Sequence, residues 1–160
     1  MSESRISHDV DYSRTEMTYI VRPSQINGYG RLFGGQLMVW FDELAGIVAV
    51  RHAGTLCTTA VVDQLVYKVP AYANDIVVLQ GRLARVGRTS MEVRIDSYIE
   101  DLNGRRQEMT RAFFVMVAID EEGNPVQVPA LELKTEQERQ EFQLAEIRNE
   151  RRKQRQYDGY

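Results

Sequence analysis

The sequence predicts a single-domain α+β fold in which one antiparallel sheet wraps around a long helix. Its 160 residues are enough for one domain of common size. Along the chain, one strand candidate is followed by a mostly apolar helix and then by four strand candidates in succession. Because successive strands favour an antiparallel sheet, we expect the long helix to pack against one face of that sheet.

The first strand is predicted over residues 17–22, and Pro23 ends it before a turn-rich loop. The long helix is predicted over residues 36–53, with apolar side chains in nearly every direction around its axis and Gly54 as its stop signal. A helix of this composition is expected to be buried on most sides.

Four further strands are predicted over residues 56–69, 75–86, 90–100 and 108–119. The third alternates between apolar and polar residues, which predicts one face toward the core and one toward solvent. The fourth is apolar on both faces, as is typical of a central strand or an interface. Turns predicted at residues 86–88 and 102–104 suit hairpins. Because a sheet with open edges usually finds a partner, we expect a homodimer.

A second helix is predicted over residues 135–156, and Thr135 with Glu138 forms the capping box that opens it. The basic run at residues 151–155 favours a solvated helix that frays into a disordered tail. Contact with an acidic partner or a ligand phosphate is the alternative.

The composition excludes several classes of protein. No apolar run reaches the roughly 18 residues that a membrane span needs, and the N-terminus lacks the apolar segment of a secretion signal, so we expect a cytoplasmic protein. The net charge of -3 argues against a dedicated nucleic-acid-binding protein. Cys57 is the only cysteine, which excludes an internal disulfide and a multi-cysteine zinc site. Its strand context favours a buried thiol over a nucleophile.

Asp42 stands out because it lies in an otherwise apolar helix, where a buried carboxylate is costly without hydrogen bonds or a counter-charge. Its neighbours at helical spacing are Met38 and three small residues, Ala45, Gly46 and Ala49. Small neighbours leave space for a ligand, but they equally permit close approach of another helix or strand. Glu43, about 100° round the helix, is the rival acid and is expected to pair with a basic group or to reach solvent.

Gly34 and Gly35 stand where the long helix begins. The free N–H groups of the first turn and the positive end of the helix dipole can face a substrate oxygen there, unobstructed by side chains. That is the geometry of an oxyanion hole. Helix entry and tight packing explain glycines more often than catalysis does, so the hypothesis depends on the combination with Asp42.

Residues 27–43 have the sequence NGYGRLFGGQLMVWFDE and resemble the signature of the hotdog-fold acyl-CoA thioesterases. That pattern is an asparagine, a glycine three residues later, then Phe-Gly-Gly and an aspartate on the helix. The resemblance covers roughly residues 15–130 and includes Pro70 and residues 59–63 and 86–93. It therefore implies an N-terminal extension at residues 1–14, a hotdog acyl-CoA hydrolase domain at residues 15–130, and a charged helix with its tail at residues 131–160. Asn74 stands where the family commonly has glycine, and since asparagine tolerates left-handed backbone, the fold is not in doubt.

The resemblance implies a hotdog fold and hydrolysis of acyl-CoA to a free acid and CoA, without a metal or a cofactor. Asp42 would act as general base or nucleophile, and Asn27 would come from the other subunit of a homodimer. Backbone N–H groups near Gly34 and Gly35 would polarise the thioester carbonyl. Similar enzymes also form hexamers of three dimers, which these residues do not decide.

The resemblance also implies residues that bind the substrate. Thr59 and Phe33 would line the site, and the pantetheine and phosphates of CoA would lie along Arg88, Thr89 and Ser90. A solvated hairpin end would have a similar sequence at these last three positions, although Arg and hydroxyl groups suit phosphate recognition.

The resemblance to hotdog proteins also allows two functions other than hydrolysis. A dehydratase needs a histidine in an active-site loop, and no histidine lies between His8 and His52. His52 falls near the helix end, where capping or packing is the expected role. A non-catalytic acyl-CoA sensor is the alternative to an enzyme; it would usually carry a DNA-binding segment, for which there is no room before Met17.

Overall fold

The computed structural model describes residues 4–63 and 65–159. In chain order, that part of the protein contains β1 (Ser7–Asp9), α1 (Val10–Ser13), β2 (Thr15–Ile20), a 3-10 helix (Pro23–Gln25), α2 (Gly34–Ala53), β3 (Cys57–Asp63), β4 (Ile76–Val86), β5 (Ser90–Glu100), β6 (Arg106–Ala118), β7 (Ala130–Glu132) and α3 (Glu136–Tyr157). Residues 1–3 of the predicted extension, Gln64 of the predicted strand 56–69 and Tyr160 of the predicted tail lie outside the described residues.

Five strands form one antiparallel sheet in the order β2-β4-β5-β6-β3, so β2 and β3 are its two edges. β1 and β7 pair in parallel as a separate two-stranded sheet. α2 lies against one face of the large sheet. The predicted α+β architecture, with an antiparallel sheet around a long helix, is confirmed, and it is the arrangement that the hotdog resemblance implies.

α2 buries one side against the sheet. Its residues Phe41, Leu44 and Val48 are completely buried, and Phe41 packs edge to face on Phe114 of β6. Gly81 of β4 permits close approach, since a Cβ there would lie 3.0 Å from side-chain atoms of Leu44 and Val48. Each fully buried side chain of this size contributes about 1.5 to 3 kcal/mol. The core between helix and sheet therefore fixes the helix on which the candidate residues lie.

The other side of α2 is open, so the expectation that the helix is buried on most sides is wrong for the single chain. Val39 is 50% exposed and Val50 is 43% exposed, and Asp42 is exposed as well. One sheet can cover only one side of a helix. The apolar residues on the opposite side follow from the sequence pattern, but the described chain supplies nothing that covers them.

α3 lies over the outer face of the sheet, opposite α2. Glu92 and Asp96 of β5 were expected to face solvent, but each is 1% exposed because α3 covers them. Arg148 and Arg152 of α3 form ion pairs with Glu92, since Arg148 Nη2 lies 2.7 Å from Glu92 Oε1 and Arg152 Nη1 lies 2.7 Å from Glu92 Oε2. The alternation of β5 was correct, but alternation alone does not show that a second element carries matching charges.

The fraying predicted for this second helix is wrong, because α3 continues to Tyr157, but most of its residues are exposed, as predicted, and its capping box is confirmed. Thr135 Oγ1 accepts a hydrogen bond from the N–H of Glu138, and the Glu138 carboxylate accepts from the N–H of Thr135. The basic end pairs with acids of its own chain, since Asp63 of β3 contacts both Arg152 and Arg155.

Several element boundaries differ from the prediction. β3 ends at Asp63, and not at residue 69, because the chain leaves the sheet there and crosses toward the start of α2. β1, α1 and β7 were not predicted, since three- and four-residue elements have no detectable periodicity. The left-handed backbone expected at Asn74 is confirmed, with φ of 71°. In the described part of the chain, no helix has the length and hydropathy of a membrane span.

Candidate active site

Asp42 and Thr59 form the centre of the candidate site. Asp42 lies on the open side of α2, and Thr59 lies on the edge strand β3. Thr59 Oγ1 donates a hydrogen bond of 2.6 Å to Asp42 Oδ1, a short distance that is typical of a hydroxyl bound to an ionised carboxylate. The carboxylate is thus held by one oxygen, while Oδ2 points to no donor within the described residues.

A β-bulge at Ala60 directs Thr59 toward Asp42. Thr59 is opposite Met116 and Val61 is opposite Val115, so Ala60 has no partner on β6. The extra residue reverses the alternation, and Thr59 consequently faces the α2 side of the sheet while Asp63 faces α3 on the other side. Without the bulge, side chains four residues apart would point to the same face.

The start of α2 provides free backbone donors. Gln36 and Leu37 are the first amides of the helix that donate, both to the carbonyl of Phe33. Among the described residues, the N–H groups of Gly34 and Gly35 meet no acceptor. Glycine at position 35 leaves room for the Phe33 ring, because a Cβ there would lie 2.4 Å from that ring and would displace it.

Tyr67 holds this helix start from the loop that follows β3. Its hydroxyl donates a hydrogen bond of 2.8 Å to the carbonyl oxygen of Gly34, and its ring lies 3.2 Å from where a Gly34 Cβ would be. That carbonyl belongs to the same peptide unit as the N–H of Gly35, so the hydrogen bond polarises the Gly35 donor. Burial raises the pKa of Tyr67, which keeps its hydroxyl protonated.

Asn27 lies beside the helix start. Its Oδ1 accepts hydrogen bonds from the N–H groups of Tyr29 (3.0 Å) and Arg31 (3.2 Å), which fixes the loop. No described residue accepts a hydrogen bond from its side-chain N–H₂ group, and the residue is exposed. Asn27 and Gly34 line one cavity of about 250 Å³.

The single chain thus holds two half-sites apart. Asp42 with Thr59 forms one, and Asn27 with Gly34 and Gly35 forms the other. Gly35 and Asp42 are seven residues apart on the same side of α2, which separates them by about 10 Å along the axis. One thioester-sized group cannot touch both half-sites of the same chain.

Comparison with known proteins identifies the family. A family model described as the thioesterase superfamily matches residues 29–104. The structure of an apo-hexameric acyl-CoA thioesterase is 38% identical with a TM-score of 0.89, and the match covers 94% of this chain and 97% of that one. The chain belongs to the thioesterase superfamily.

Other proteins similar to this chain are named as hydrolases of acyl-CoA. An acyl-CoA hydrolase from Staphylococcus aureus, in complex with butyryl coenzyme A, coenzyme A and coenzyme A disulfide, is 31% identical with a TM-score of 0.89, covering 95% of this chain and 93% of that chain. Variants of that hydrolase, with alanine replacing an aspartate, an asparagine or a threonine, have TM-scores of 0.89 to 0.91. The cytosolic acyl coenzyme A thioester hydrolase of Rattus norvegicus is 33% identical over 84% of this chain, which spans only 36% of that protein.

The remaining predicted substrate-binding residues lie in two separate places, at the start of α2 and in a hairpin of the large sheet. Phe33 is 57% exposed at the helix start. Arg88, Thr89 and Ser90 form the hairpin between β4 and β5, and Ser90 is opposite Val117, which is in turn opposite Thr58 of β3. Two strand spacings therefore separate the hairpin from β3 by about 10 Å. The Arg88 side chain is exposed.

Cys57 and His52 lie outside this arrangement. Burial raises the pKa of the Cys57 thiol to about 11, so it stays protonated near neutral pH. His52 is completely buried, with its Nε2 2.9 Å from the carbonyl oxygen of Pro129, as expected for a packing histidine. Across residues 4–63 and 65–159, no three His, Cys, Asp or Glu side chains converge as metal ligands. Tyr67 was missed because the predicted strand 56–69 included it.

Proposed function

We propose that the chain hydrolyses acyl-CoA thioesters to a free acid and CoA, at a site that two copies of the chain complete. The observation that carries the proposal is the carboxylate of Asp42, exposed on α2 and oriented by Thr59 at 2.6 Å. An oriented carboxylate with one free oxygen suits a general base or a nucleophile. A non-catalytic acyl-CoA sensor has no need of such a group.

Hydrolysis follows from these groups in two steps. As general base, Asp42 takes a proton from water while the water oxygen bonds to the thioester carbon, and the carbonyl electron pair moves to its oxygen. N–H groups of Gly34 and Gly35 stabilise that oxyanion. Collapse re-forms the carbonyl and breaks the C–S bond, and the thiolate of CoA takes up the proton. If Asp42 is the nucleophile instead, water hydrolyses the resulting anhydride.

Two copies are required because of the roughly 10 Å between Gly35 and Asp42 on one helix. We infer that Asp42 and Thr59 of one subunit face Asn27, Gly34 and Gly35 of another. The exposed apolar side of α2 and the open edge at β3 suit such an interface. The superfamily includes a hexameric thioesterase, so a hexamer of three dimers is compatible with the same pairing.

The variants of the Staphylococcus aureus hydrolase support the residue assignment. Its substituted asparagine, aspartate and threonine are spaced by fifteen and seventeen residues, as Asn27, Asp42 and Thr59 are here. The same hydrolase binds butyryl coenzyme A. We extend the CoA contacts to Phe33 and to the hairpin Arg88, Thr89 and Ser90. CoA is then part of the substrate and product, and the reaction uses no cofactor.

We also propose a cytoplasmic location and a division of the chain into three parts. The rat relative is named cytosolic, which agrees with the cytoplasmic location expected from the sequence. The boundaries at residues 14 and 130 remain a prediction. β1 from the proposed extension pairs with β7 from the proposed C-terminal part, so both ends pack together beside the main domain.

Thiol release from a panel of acyl-CoAs of two to sixteen carbons tests the function. We expect turnover by the wild type and its loss in Asp42→Asn, which keeps the size of the side chain. Gly35→Ala should also lose activity, because its Cβ would displace the Phe33 ring beside the free amides.

Gly28→Ala is the matched control, since a Cβ there meets nothing within 4 Å. Wild-type protein that binds acyl-CoA without releasing thiol would favour the sensor. Asp42→Asn with wild-type turnover would exclude the proposed catalytic role.

A further inference from the structure

The cavity beside Asn27 and Gly34 opens to solvent among polar side chains, and its deepest part is lined by apolar ones. It has a volume of about 250 Å³, and its floor consists of the buried residues Leu32, Leu37, Ala71 and Met109. Arg31 and Lys68 line it too, and both are exposed. The cavity therefore has an uncharged interior and basic groups at its mouth.

Met109 reaches this floor through a second β-bulge. Ser97 of β5 is opposite Thr110 of β6, and Tyr98 is opposite Glu108, so Met109 has no partner in the ladder. The bulge turns the Met109 side chain into the core, where it is 3% exposed. Bulges that redirect a side chain at a cavity are built features of a fold.

Buried hydroxyl groups hold the wall of the cavity beside that bulge. Ser97 Oγ donates to the carbonyl of Thr110, and Thr110 Oγ1 donates to the carbonyl of Val66. The next residue is Tyr67, whose hydroxyl bonds Gly34. The floor, the wall and the free amides are thus connected by direct contacts, which gives the cavity a defined shape.

We propose that this cavity receives the acyl chain of the substrate and that Met109 limits the length of the chain. The inference rests on the proposed thioesterase function. With the thioester carbonyl at the amides of Gly34 and Gly35, the uncharged interior suits a hydrocarbon, and the anionic CoA stays outside near Arg31 and Lys68. Pockets for drug-sized ligands have volumes of about 300 to 1,000 Å³, so 250 Å³ suits a short acyl chain.

An apolar depression on the open side of the long helix is the α2 groove, lined by Met17, Glu43, Gly46, Ile47, Val50 and Arg51. It suits the acyl chain less well for two reasons. Met17 lies on β2, the edge of the sheet opposite β3, whereas Asp42 bonds to Thr59 on β3. The groove also includes neither Asn27 nor Gly34. Met17 is therefore the matched control for Met109.

The test compares kcat/KM across straight acyl-CoAs of two to sixteen carbons for the wild type, Met109→Ala and Met17→Ala. We expect the wild type to prefer short chains. Met109→Ala should shift the optimum toward longer chains, by about fourfold in kcat/KM for each additional methylene that the enlarged cavity buries. Met109→Phe should shift the optimum to shorter chains, and Met17→Ala should leave the profile unchanged.

Thermal unfolding identifies variants that fail to fold. If Met109→Ala is unfolded, Met109→Val, which removes less volume, replaces it and should also shift the optimum toward longer chains. A folded Met109 variant with the wild-type profile would overturn the inference while leaving the hydrolase function intact. A shift in Met17→Ala alone would assign the acyl chain to the α2 groove. Absence of turnover by the wild type with every acyl-CoA would instead reject the proposed function, and this inference with it.

Discussion

Thr59 Oγ1 donates a 2.6 Å hydrogen bond to Asp42 Oδ1, and this contact joins the edge strand of the sheet to the central helix. It depends on the bulge at Ala60, which turns Thr59 toward the helix while Asp63, further along the same strand, faces α3. One short strand therefore orients the candidate catalytic carboxylate and anchors the C-terminal helix on opposite faces of the sheet.

Thr59→Val is expected to reduce kcat by about 10- to 100-fold with little change in KM. Valine keeps the shape of threonine but loses the donor, and a hydrogen bond to a charged group contributes about 1.5 to 3 kcal/mol. Steady-state kinetics on a short acyl-CoA measure the effect. Thr59→Ser, which retains the hydroxyl, should keep most of the activity. Thr58→Val changes the exposed neighbour in the same way and is the control, which should leave kcat unchanged. Equal losses in the serine and valine variants would contradict an orienting role for the hydroxyl.

Arg152→Met is expected to lower the free energy of unfolding by about 3 kcal/mol. Arg152 is 8% exposed and contacts both Glu92 and Asp63, which are themselves buried. Losing one partner of a buried ion pair costs about 3 to 5 kcal/mol, and the low end applies because Arg148 still pairs with Glu92 and Arg155 with Asp63. Denaturant titration measures this value.

Lys153→Met is the control for that change, because Lys153 pairs only with Glu150 and both side chains are mostly exposed. Such a surface pair contributes at most about 1 kcal/mol. If Arg152→Met were no more destabilising than Lys153→Met, α3 would not be held by the buried charges. Asp96 is another acid that arginines stabilise on this face of the sheet. Burial alone would raise the pKa of Asp96, but hydrogen bonds from Arg111 and Arg94 outweigh burial and lower that pKa.

The stability of the protein should decrease as the pH falls from about 7 to 5, through His52. Burial lowers the pKa of His52, and a contact with the carbonyl of Pro129 only partly opposes this. Its Nδ1 is buried and has no partner in the described residues, so a second ring proton has no acceptor. His8 and Arg5 also disfavour the charged form.

The direction follows from proton linkage. The unfolded chain binds a proton to His52 below about pH 6.5, while the folded chain does so only at lower pH, so acid favours unfolding. Thermal midpoints measured at several pH values should fall across this range in the wild type and fall less steeply in His52→Gln. His8→Gln removes one of the groups that disfavour the charged form of His52, so it should flatten the slope less than His52→Gln does. An unchanged slope in His52→Gln would assign the pH dependence to other groups.

Much of the fold could be predicted because its periodicity is local. The alternation of apolar and polar side chains in residues 90–100 predicted β5, and the long, mostly apolar segment of residues 36–53 predicted α2. What covers a polar face is not local information, and the burial of Glu92 under α3 depends on an arginine 60 residues later in the chain. The sequence therefore identified the elements better than their environments.

The sequence singled out Asp42 and Gly35 as candidate site residues, but it did not predict their geometry. Burial of Asp42 was expected, and the single chain exposes it. The two bulges, at Ala60 and Met109, leave no mark in the hydrophobic pattern, because each shifts the alternation by only one residue. Tyr67 was hidden in a segment that was predicted to be strand and forms a loop.

Subunit mixing tests the pairing of half-sites between chains. Asp42→Asn and Asn27→Ala should each inactivate the protein, but they damage different half-sites. In a mixed dimer, one site combines both changes, whereas the other combines an intact Asp42 with an intact Asn27. If subunits exchange at random, half of the dimers are mixed, so activity should recover to about a quarter of the wild-type value.

The measurement is thiol release after the two inactive variants are unfolded together and refolded, with each variant treated alone as the control. A third mixture, of Asp42→Asn with Thr59→Val, provides the matched comparison. Both of those changes fall in the same half-site, so every site in a mixed dimer carries one of them, and activity should not exceed that of Thr59→Val alone. Recovery in this third mixture, or none in the first, would exclude a site shared between Asp42 of one subunit and Asn27 of its partner.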